Sequence, residues 1–428
     1  MSEPARLYLP EDKLPLARLV PMGLQHVVAM FGATVLAPIL MGFDPQVAIF
    51  FSGVGTLIFI AVTRGKVPSY LGSSFAFIGP VLAVTGGSAA RIPEALFGIA
   101  GAAVLYGLAA ALTLRLGSRW IDRLMPPIVT GSVVALIGLN LASSSLTAVV
   151  NPAFVIADAH DLVRLLVAIV TFGTAVFVAS YVRGFLKLLP ILSGVVIGYV
   201  AAAALGQLEP AALERIGTAA WVGLPPFVTP RPSLEALLVI APVFVVLVAE
   251  NKGHLTAISG YMNRDLTPHL GRAYLGDALA TLVSALGGGT PQTTYAENMG
   301  VMAMTRVFSI YNFLVAACIA LLLGVCPKFG AAILSIPGPV LGGITLILYA
   351  LITLMGIKIW IDGKVDFARQ RNLVVAGVPL IVATGLGVRG VTVASVNIAG
   401  IALGTVLAVV LNLVLAEKRG SRPEDAVS

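Results

Sequence analysis

Glu250, His254, Asp277, Glu297, Gln25 and His26 sit inside otherwise apolar stretches of this chain. Glu250 and His254 are four apart, so a helix places them on one face. Glu297 directly follows Tyr295-Ala296, in a run that changes from polar to apolar. Carboxylates accept N–H hydrogen bonds. Burial in apolar surroundings favours the neutral form of a carboxyl group, so such a group can take up a proton on one side and release it on another. Bond-breaking chemistry has no such support. There is no H-E-x-x-H, no paired Asp-rich motif and no nucleophile with a plausible base. Cys318 and Cys326, the two cysteines, have neither metal-ligand spacing nor a framework of bridges. No cofactor is expected, the proton being the coupling ion.

The positions of these groups follow from the composition. The chain has 428 residues, 58% apolar and 11% charged, with mean hydropathy +0.98. Soluble domains have about 25% charged residues. Disorder, collagen, a disulfide scaffold and a soluble multidomain enzyme are all excluded. What remains is an all-α polytopic membrane protein. At about 20 residues per crossing, spans are expected near 17–41, 45–63, 70–86, 92–114, 124–146, 161–181, 186–205, 234–258, 271–287, 290–305, 308–326, 333–357, 372–388 and 394–416, fourteen in all. An even number puts both termini on one side. Of the 27 basic residues, 21 fall in the termini and the even-to-odd loops. Six (Arg91, Arg164, Arg215, Arg231, Lys328, Arg389) fall on the other side. The positive-inside rule makes both termini cytoplasmic. The net charge of +7 is thus an orientation signal, and no nucleic-acid partner is expected. The first sixteen residues are polar and the first apolar run has no small-residue cleavage site after it, so no signal peptide is expected.

Spans three and ten do not read as ordinary helices. Each opens with small, hydroxyl-bearing and aromatic residues and then turns apolar, with an early glycine (Gly79, Gly300). Ser73, Ser74, Phe75 and Ala76 align with Thr293, Thr294, Tyr295 and Ala296 at a spacing of 220 residues. Pro127 to Gly131 aligns with Pro339 to Gly343, and Gly32 more weakly with Gly253. Each match pairs a span with the seventh after it. An odd shift reverses direction, so the chain reads as two inverted repeats of seven spans. Six extended residues cover about 20 Å and ten helical residues about 15 Å. Segments 70–75 and 290–295 are therefore expected as short antiparallel strands, and 76–85 and 296–305 as half-helices. Irregular backbone at that depth is tolerated only inside protein or along a cavity. Discontinuous helices in inverted repeats, meeting at the midplane, are the pattern of secondary transporters.

An acid at a helix centre in lipid costs about 2.5–3.5 kcal/mol, so each one needs a reason. Glu297 lies at the turn from strand to half-helix. Glu250 reads either as a deep residue or as the end of a short span eight. His254 reads as a partner of Glu250 or as a substrate contact. Asp277 is open between a network role and a helix cap near the cytoplasmic side. Gln25 and His26 are open between that network and a tie from span one to its neighbours. Glu94 and Glu235 fall in first helical turns, where an acid complements the dipole. Gly287–Gly289 reads as a loop rather than a phosphate cradle. Two acids, N–H donors at helix starts and flanking aromatics (Phe75, Tyr295) suit a small planar molecule with N–H donors and carbonyl acceptors.

The run Glu297-Asn298-Met299-Gly300 through Thr305-Arg306 resembles the signature of the nucleobase–ascorbate transporters, the nucleobase:cation symporter family. Gln25-His26 with Ala29 to Thr34, Tyr70 to Phe77, Glu250-x-x-Gly253-His254 and Lys364-Val365-Asp366-Phe367 resemble it too. The likeness runs from about residue 17 to 416 and is strongest to the bacterial uracil-carrying members. It implies a core domain (17–116 with 233–328, spans 1–4 and 8–11) and a gate domain (117–232 with 329–416, spans 5–7 and 12–14). Cytoplasmic tails are implied at 1–16 and 417–428. It further implies proton symport into a bacterial cell across the cytoplasmic membrane, by an elevator-like or rocking movement, and a homodimer through the gate domains. Residue by residue, it carries uracil binding onto the side chains of Glu250 and Glu297 and the main chain of Phe75 and Ala296, with Tyr349 facing from the gate. His254 joins a proton network with Asp277, His26, Gln25 and Asn298. Two departures stand out. Ala296 replaces a frequent Gly, and Asp277 replaces an Asn. Purine-type members tend to carry Gln where Glu297 stands, which favours a pyrimidine over xanthine or urate. An anion transporter of related fold, the other reading, expects fewer acids.

Overall fold

A computed structural model describes residues 7–117, 119–149, 156, 158–387, 390–393 and 396–415. Residues 1–6, Arg389 and the tail expected at 417–428 lie outside the described residues. The chain begins with α1 (Leu16–Met41) and α2 (Pro45–Val62). Gly42, at φ +80°, ends α1, and the Asp44 side chain caps α2 by accepting from the Gln46 N–H at 2.7 Å. Next come β1 (Leu71–Ser73), a 3-10 turn at Phe75–Phe77, and α3 (Ile78–Thr85). Then follow α4 (Ile92–Leu116), α5 (Arg119–Leu124), α6 (Pro127–Val149), α7 (Ala159–Tyr181), α8 (Pro190–Ala204) and α9 (Pro210–Thr218). α10 (Leu234–Ile240) passes through a 3-10 turn at Ala241–Val243 into α11 (Phe244–Met262). Pro242, which has no N–H, explains the tightening there.

The rest of the chain is α12 (Leu270–Leu286), β2 (Gln292–Thr294), α13 (Ala296–Thr305), α14 (Ile310–Gly324), α15 (Pro327–Leu334), α16 (Gly338–Asp362), α17 (Gln370–Leu386), β3 (Val391–Val393), β4 (Val396–Ile398) and α18 (Gly400–Val414). Among the described residues, six helical segments are long and apolar enough to cross a bilayer singly, and shorter apolar helices accompany them.

Several elements depart from the expected pattern. Span fourteen was expected from residue 394, yet α18 starts at Gly400 because β3 and β4 pair as an antiparallel hairpin. The β-branched residues Val391, Thr392, Val396 and Ile398 favour that form. After α14 the chain bends by 82° into α15. Pro327 opens α15 and holds Cys326 out of the helical region. Segment 1–16, expected as a tail, is partly a bound strap. The Tyr8 N–H donates to the Arg306 carbonyl at 3.0 Å, and the Phe308 N–H donates to the Tyr8 carbonyl at 2.8 Å. Glu11 pairs with Arg264 at 2.9 Å. Glu94 and Glu235 do lie in first turns, and Arg91 bridges them at 2.8 Å to each.

β1 and β2 pair antiparallel, with Leu71 opposite Thr294, Gly72 opposite Thr293 and Ser73 opposite Gln292. Two strands alone leave two open edges of unpaired backbone. A threonine closes each edge. Thr56 of α2 accepts from the Leu71 N–H at 2.9 Å. Thr281 of α12 accepts from the Gln292 N–H at 3.0 Å and donates to the Gln292 carbonyl at 3.0 Å. Both hydroxyls are buried.

The helices sort into two groups. In one, α1, α2, α4, α10, α11, α12 and α14 pack on each other, around the ribbon. In the other, α6, α7, α8, α16, α17 and α18 do so. The groups touch where α11 lies on α6 and α1 on α8. Glycines allow the close approach between α6 and α16. A Cβ on Gly356 would stand 2.5 Å from the Gly131 carbonyl oxygen. Small residues at such seams are how helices associate in lipid.

Replacing Thr281 by Val removes the edge closure and leaves the Gln292 N–H unpaired. We expect a loss of about 1–3 kcal/mol in thermal stability in detergent, largely restored by Thr281→Ser. Equal melting temperatures for Thr281→Val and the parent would contradict the closure.

Candidate functional site

The two short helices begin next to each other because their strands are paired. Past the ladder, the Ser74 N–H donates to the Pro291 carbonyl at 2.9 Å, and the Tyr295 N–H to the Tyr70 carbonyl at 3.1 Å. The chain then turns helical at Phe75 and at Ala296. The residues before these starts, Ser74 and Tyr295, provide no side-chain cap. The first N–H groups of both helices therefore keep their donor capacity and positive dipole ends.

Glu297 stands in the first turn of α13. Glu250 comes from α11, half-buried, with its carboxylate beside the hydroxyls of Ser74 and Thr293 and near the carboxylate of Glu297. Glu250 Oε2, Ser74 Oγ and Thr293 Oγ1 are all buried without a protein partner. A buried polar atom without a partner costs about 1–3 kcal/mol. Three at one place mark a surface shaped for a polar ligand. Phe75 forms one wall. Its ring meets that of Tyr349 of α16 edge-on, with centroids 6.3 Å apart. Tyr349 thus reaches from the second helix group to the start of the half-helix.

The α11 helix runs twelve residues beyond Glu250, to Met262, so Glu250 does not stand at a helix end. His254, one turn on, places Nδ1 at 2.8 Å from Thr294 Oγ1, on the last residue of β2. It also lines a cavity of about 490 Å³ between the two helix groups. Thr130 of α6, Lys252 and Tyr261 of α11, and Lys358 and Asp362 of α16 share that lining.

Other expected site residues lie elsewhere. The Tyr295 ring does not flank this surface. It lies on Gly72, where a Cβ would stand 2.5 Å from the ring. Its hydroxyl donates to the Ser73 carbonyl at 3.1 Å and accepts from Thr34 at 3.2 Å. Tyr295 therefore locks the ribbon to α1. Asn298 turns the other way from Glu297, donating to the His26 carbonyl at 3.0 Å and lying 3.1 Å from its Nδ1. His26 stacks near Phe313 at 4.5 Å. These contacts match the reading of His26 as a tie. Gln25 is half-buried on the same helix. Asp277 sits mid-helix in α12 and is fully buried, so it is no helix cap. Its partner is Asn251, at 2.5 Å. Sequence reasoning had quoted Ser74 and Thr293 only as part of a repeat. Their hydroxyls before each half-helix were the signal. Asn251 and the edge threonines gave none. No group of His, Cys, Asp or Glu suited to a metal occurs among the described residues.

A family model described as a permease family matches residues 17–393. The chain is 44% identical to the putative pyrimidine permease RutG of Escherichia coli K12, across 96% of this chain and 92% of that one. It is 40% identical to the uracil permease of Bacillus caldolyticus, covering 95% and 94%. With the uracil permease of Escherichia coli K12 the identity is 38%, covering 97% and 95%. Among solved structures, the transmembrane domain of the cyanobacterial bicarbonate transporter BicA superposes with TM-score 0.63 at 15% identity, covering 96% of this chain and all of that one. The murine anion transporter Slc26a9, in its inward-facing state, gives 0.66 at 11% identity, covering 95% and 69%. These two share the fold.

The Tyr295 contacts carry a prediction of their own. Tyr295→Phe keeps the ring on Gly72 but removes both hydroxyl contacts. We expect it to lower stability by about 1 kcal/mol, read as a fall in melting temperature. An unchanged melting temperature would remove the hydroxyl from the lock.

Proposed function

The chain belongs to the nucleobase:cation symporter family of permeases, and from that premise we propose that it imports uracil or a closely related pyrimidine together with a proton. Its relatives are transporters, not enzymes. The observation that carries the reading is the juxtaposition of Glu250 and Glu297 at two uncapped half-helix starts. A pyrimidine-dione offers two ring N–H groups and two carbonyls. The carboxylates accept the N–H bonds, the N–H groups of Phe75 and Ala296 donate to the carbonyls, and Phe75 with Tyr349 bounds the ring. Asn298, His26, Gln25 and Asp277 act behind this surface, holding the half-helix and α11 in register.

The same proposal covers topology and movement. Fourteen spans in two inverted repeats give each expected crossing a helix or a strand and half-helix. Both termini lie on the cytoplasmic side of a bacterial inner membrane. The group holding the ribbon is the core, and the group holding α6 and α16 is the gate, through which two copies pair as a homodimer. Movement of core against gate alternates access. The cavity at His254 is then the inner exit for substrate and proton, and His254 is the relay between Glu250 and water. Anion transport, the activity in the fold neighbours' titles, is opposed by the two acids, which repel an anion.

Uptake of labelled uracil in cells lacking their own permease tests the reading. We expect uptake that a protonophore abolishes and that 5-fluorouracil inhibits more strongly than xanthine. Uptake no higher than in empty cells, or anion currents without nucleobase uptake, would overturn it. Glu297→Gln is expected to abolish binding, whereas His254→Ala should slow transport at least tenfold more than it weakens binding. Unimpaired transport by Glu297→Gln would take that residue out of the site.

A further inference from the structure

Two lysines cross the gap between the helix groups, in opposite senses. Lys252, on α11, reaches over to the second group, and its Nζ donates to the Met125 carbonyl at 2.9 Å. That carbonyl is held in place, since the Thr130 hydroxyl donates to it at 3.0 Å. The end of α5 before it is anchored to α18, where the Asn412 side chain donates to the Arg123 carbonyl at 3.2 Å. Lys358, on α16, reaches the other way. Its Nζ donates to the Tyr261 hydroxyl of α11 at 3.3 Å and stands 5.7 Å from the centre of that ring. Lys252, Met125, Lys358 and Tyr261 all line the cavity that leads to His254. Between them Gly253 packs against the Ile359 side chain, whose Cδ1 would stand 3.1 Å from a Cβ there.

We infer that Lys252 and Lys358 are reciprocal latches that hold the two helix groups in this arrangement, with the cavity at His254 open. The inference rests on the proposed movement of one group against the other, and it names residues that set which side is open. Donor–acceptor bonds near 3 Å lose most of their strength within an ångström of separation. A slide of α11 along α6 and α16 must therefore break both before the cavity can close. Both contacts bridge the two groups in this arrangement, so they weight the equilibrium toward it. Each latch is a lysine at the cavity lining whose ammonium reaches a polar partner on the far side. The Tyr261 ring adds a cation–π contact to the second latch.

The test measures which side is open and needs no substrate. In a chain with Cys318 and Cys326 replaced by Ser, Ala257→Cys puts a thiol in the cavity lining. A membrane-impermeant maleimide applied to inside-out vesicles reads how often that cavity is open. Lys252→Met and Lys358→Met keep the stem and remove the donor. Each is expected to slow labelling about fivefold, and the two together more than tenfold. Lys252→Arg should restore the parent rate, and Tyr261→Phe should slow labelling about twofold. Melting temperatures within a few degrees of the parent confirm that the variants are folded. Unchanged or faster labelling in both Met variants overturns the latches. Failure of the parent to carry uracil would instead overturn the assigned cargo and leave the labelling result standing.

Discussion

Backbone that is neither helix nor closed barrel has no place in a bilayer unless every N–H and C=O finds a partner. The whole site depends on how this chain meets that condition. Three residues from one half of the sequence pair with three from the other. The two outer edges of the resulting ribbon are closed by Thr56 and Thr281. With those bonds made, two helices can start in the middle of the molecule instead of at its surface. Their uncapped ends supply N–H groups that no ordinary spanning helix would expose.

The acids are placed by the same device. Glu297 is fixed by α13, which starts where β2 ends. Glu250 arrives on α11, a neighbouring helix that β2 also steadies through Thr294 and His254. The surrounding polar residues divide by direction. Ser74 and Thr293 turn toward the carboxylates, whereas Asn298 and Tyr295 turn back into the protein and hold the scaffold. Neighbours in sequence thus serve different purposes, because one turn of helix or one step of strand reverses the side they face.

Much of this was legible in the residues. The apolar runs, the change from hydroxyl-rich to apolar in segments 70–86 and 290–305, and the isolated acids pointed to paired strands and the half-helices after them. What escaped was whatever depends on contact between distant segments. Tyr295 looked like a wall of the site because aromatics stack on rings, but Gly72 opposite it leaves room for the ring on the other side. Asp277 stayed open between a helix cap and a network role because nothing in sequence shows that Asn251 lies against it. Thr56 and Thr281 looked like ordinary span residues, since threonine is common in membrane helices. The hairpin at Val391–Ile398 and the bend at Pro327 hid inside apolar composition, which does not distinguish a short strand or a turn from a helix end.

The pairing of β1 with β2 also has a consequence for how the protein is made. The partner of Leu71 is Thr294, so more than half of the chain separates them. At roughly 5–20 residues per second of synthesis, β1 waits about 10–45 s for its other half. Throughout that interval its N–H and C=O groups have no ladder to join. Segment 70–75 therefore completes its backbone pairing only after Gln292–Thr294 has been made. Until then Thr56 of α2 is a partner already synthesised for the Leu71 N–H. For this one pairing the first half of the molecule waits on the second.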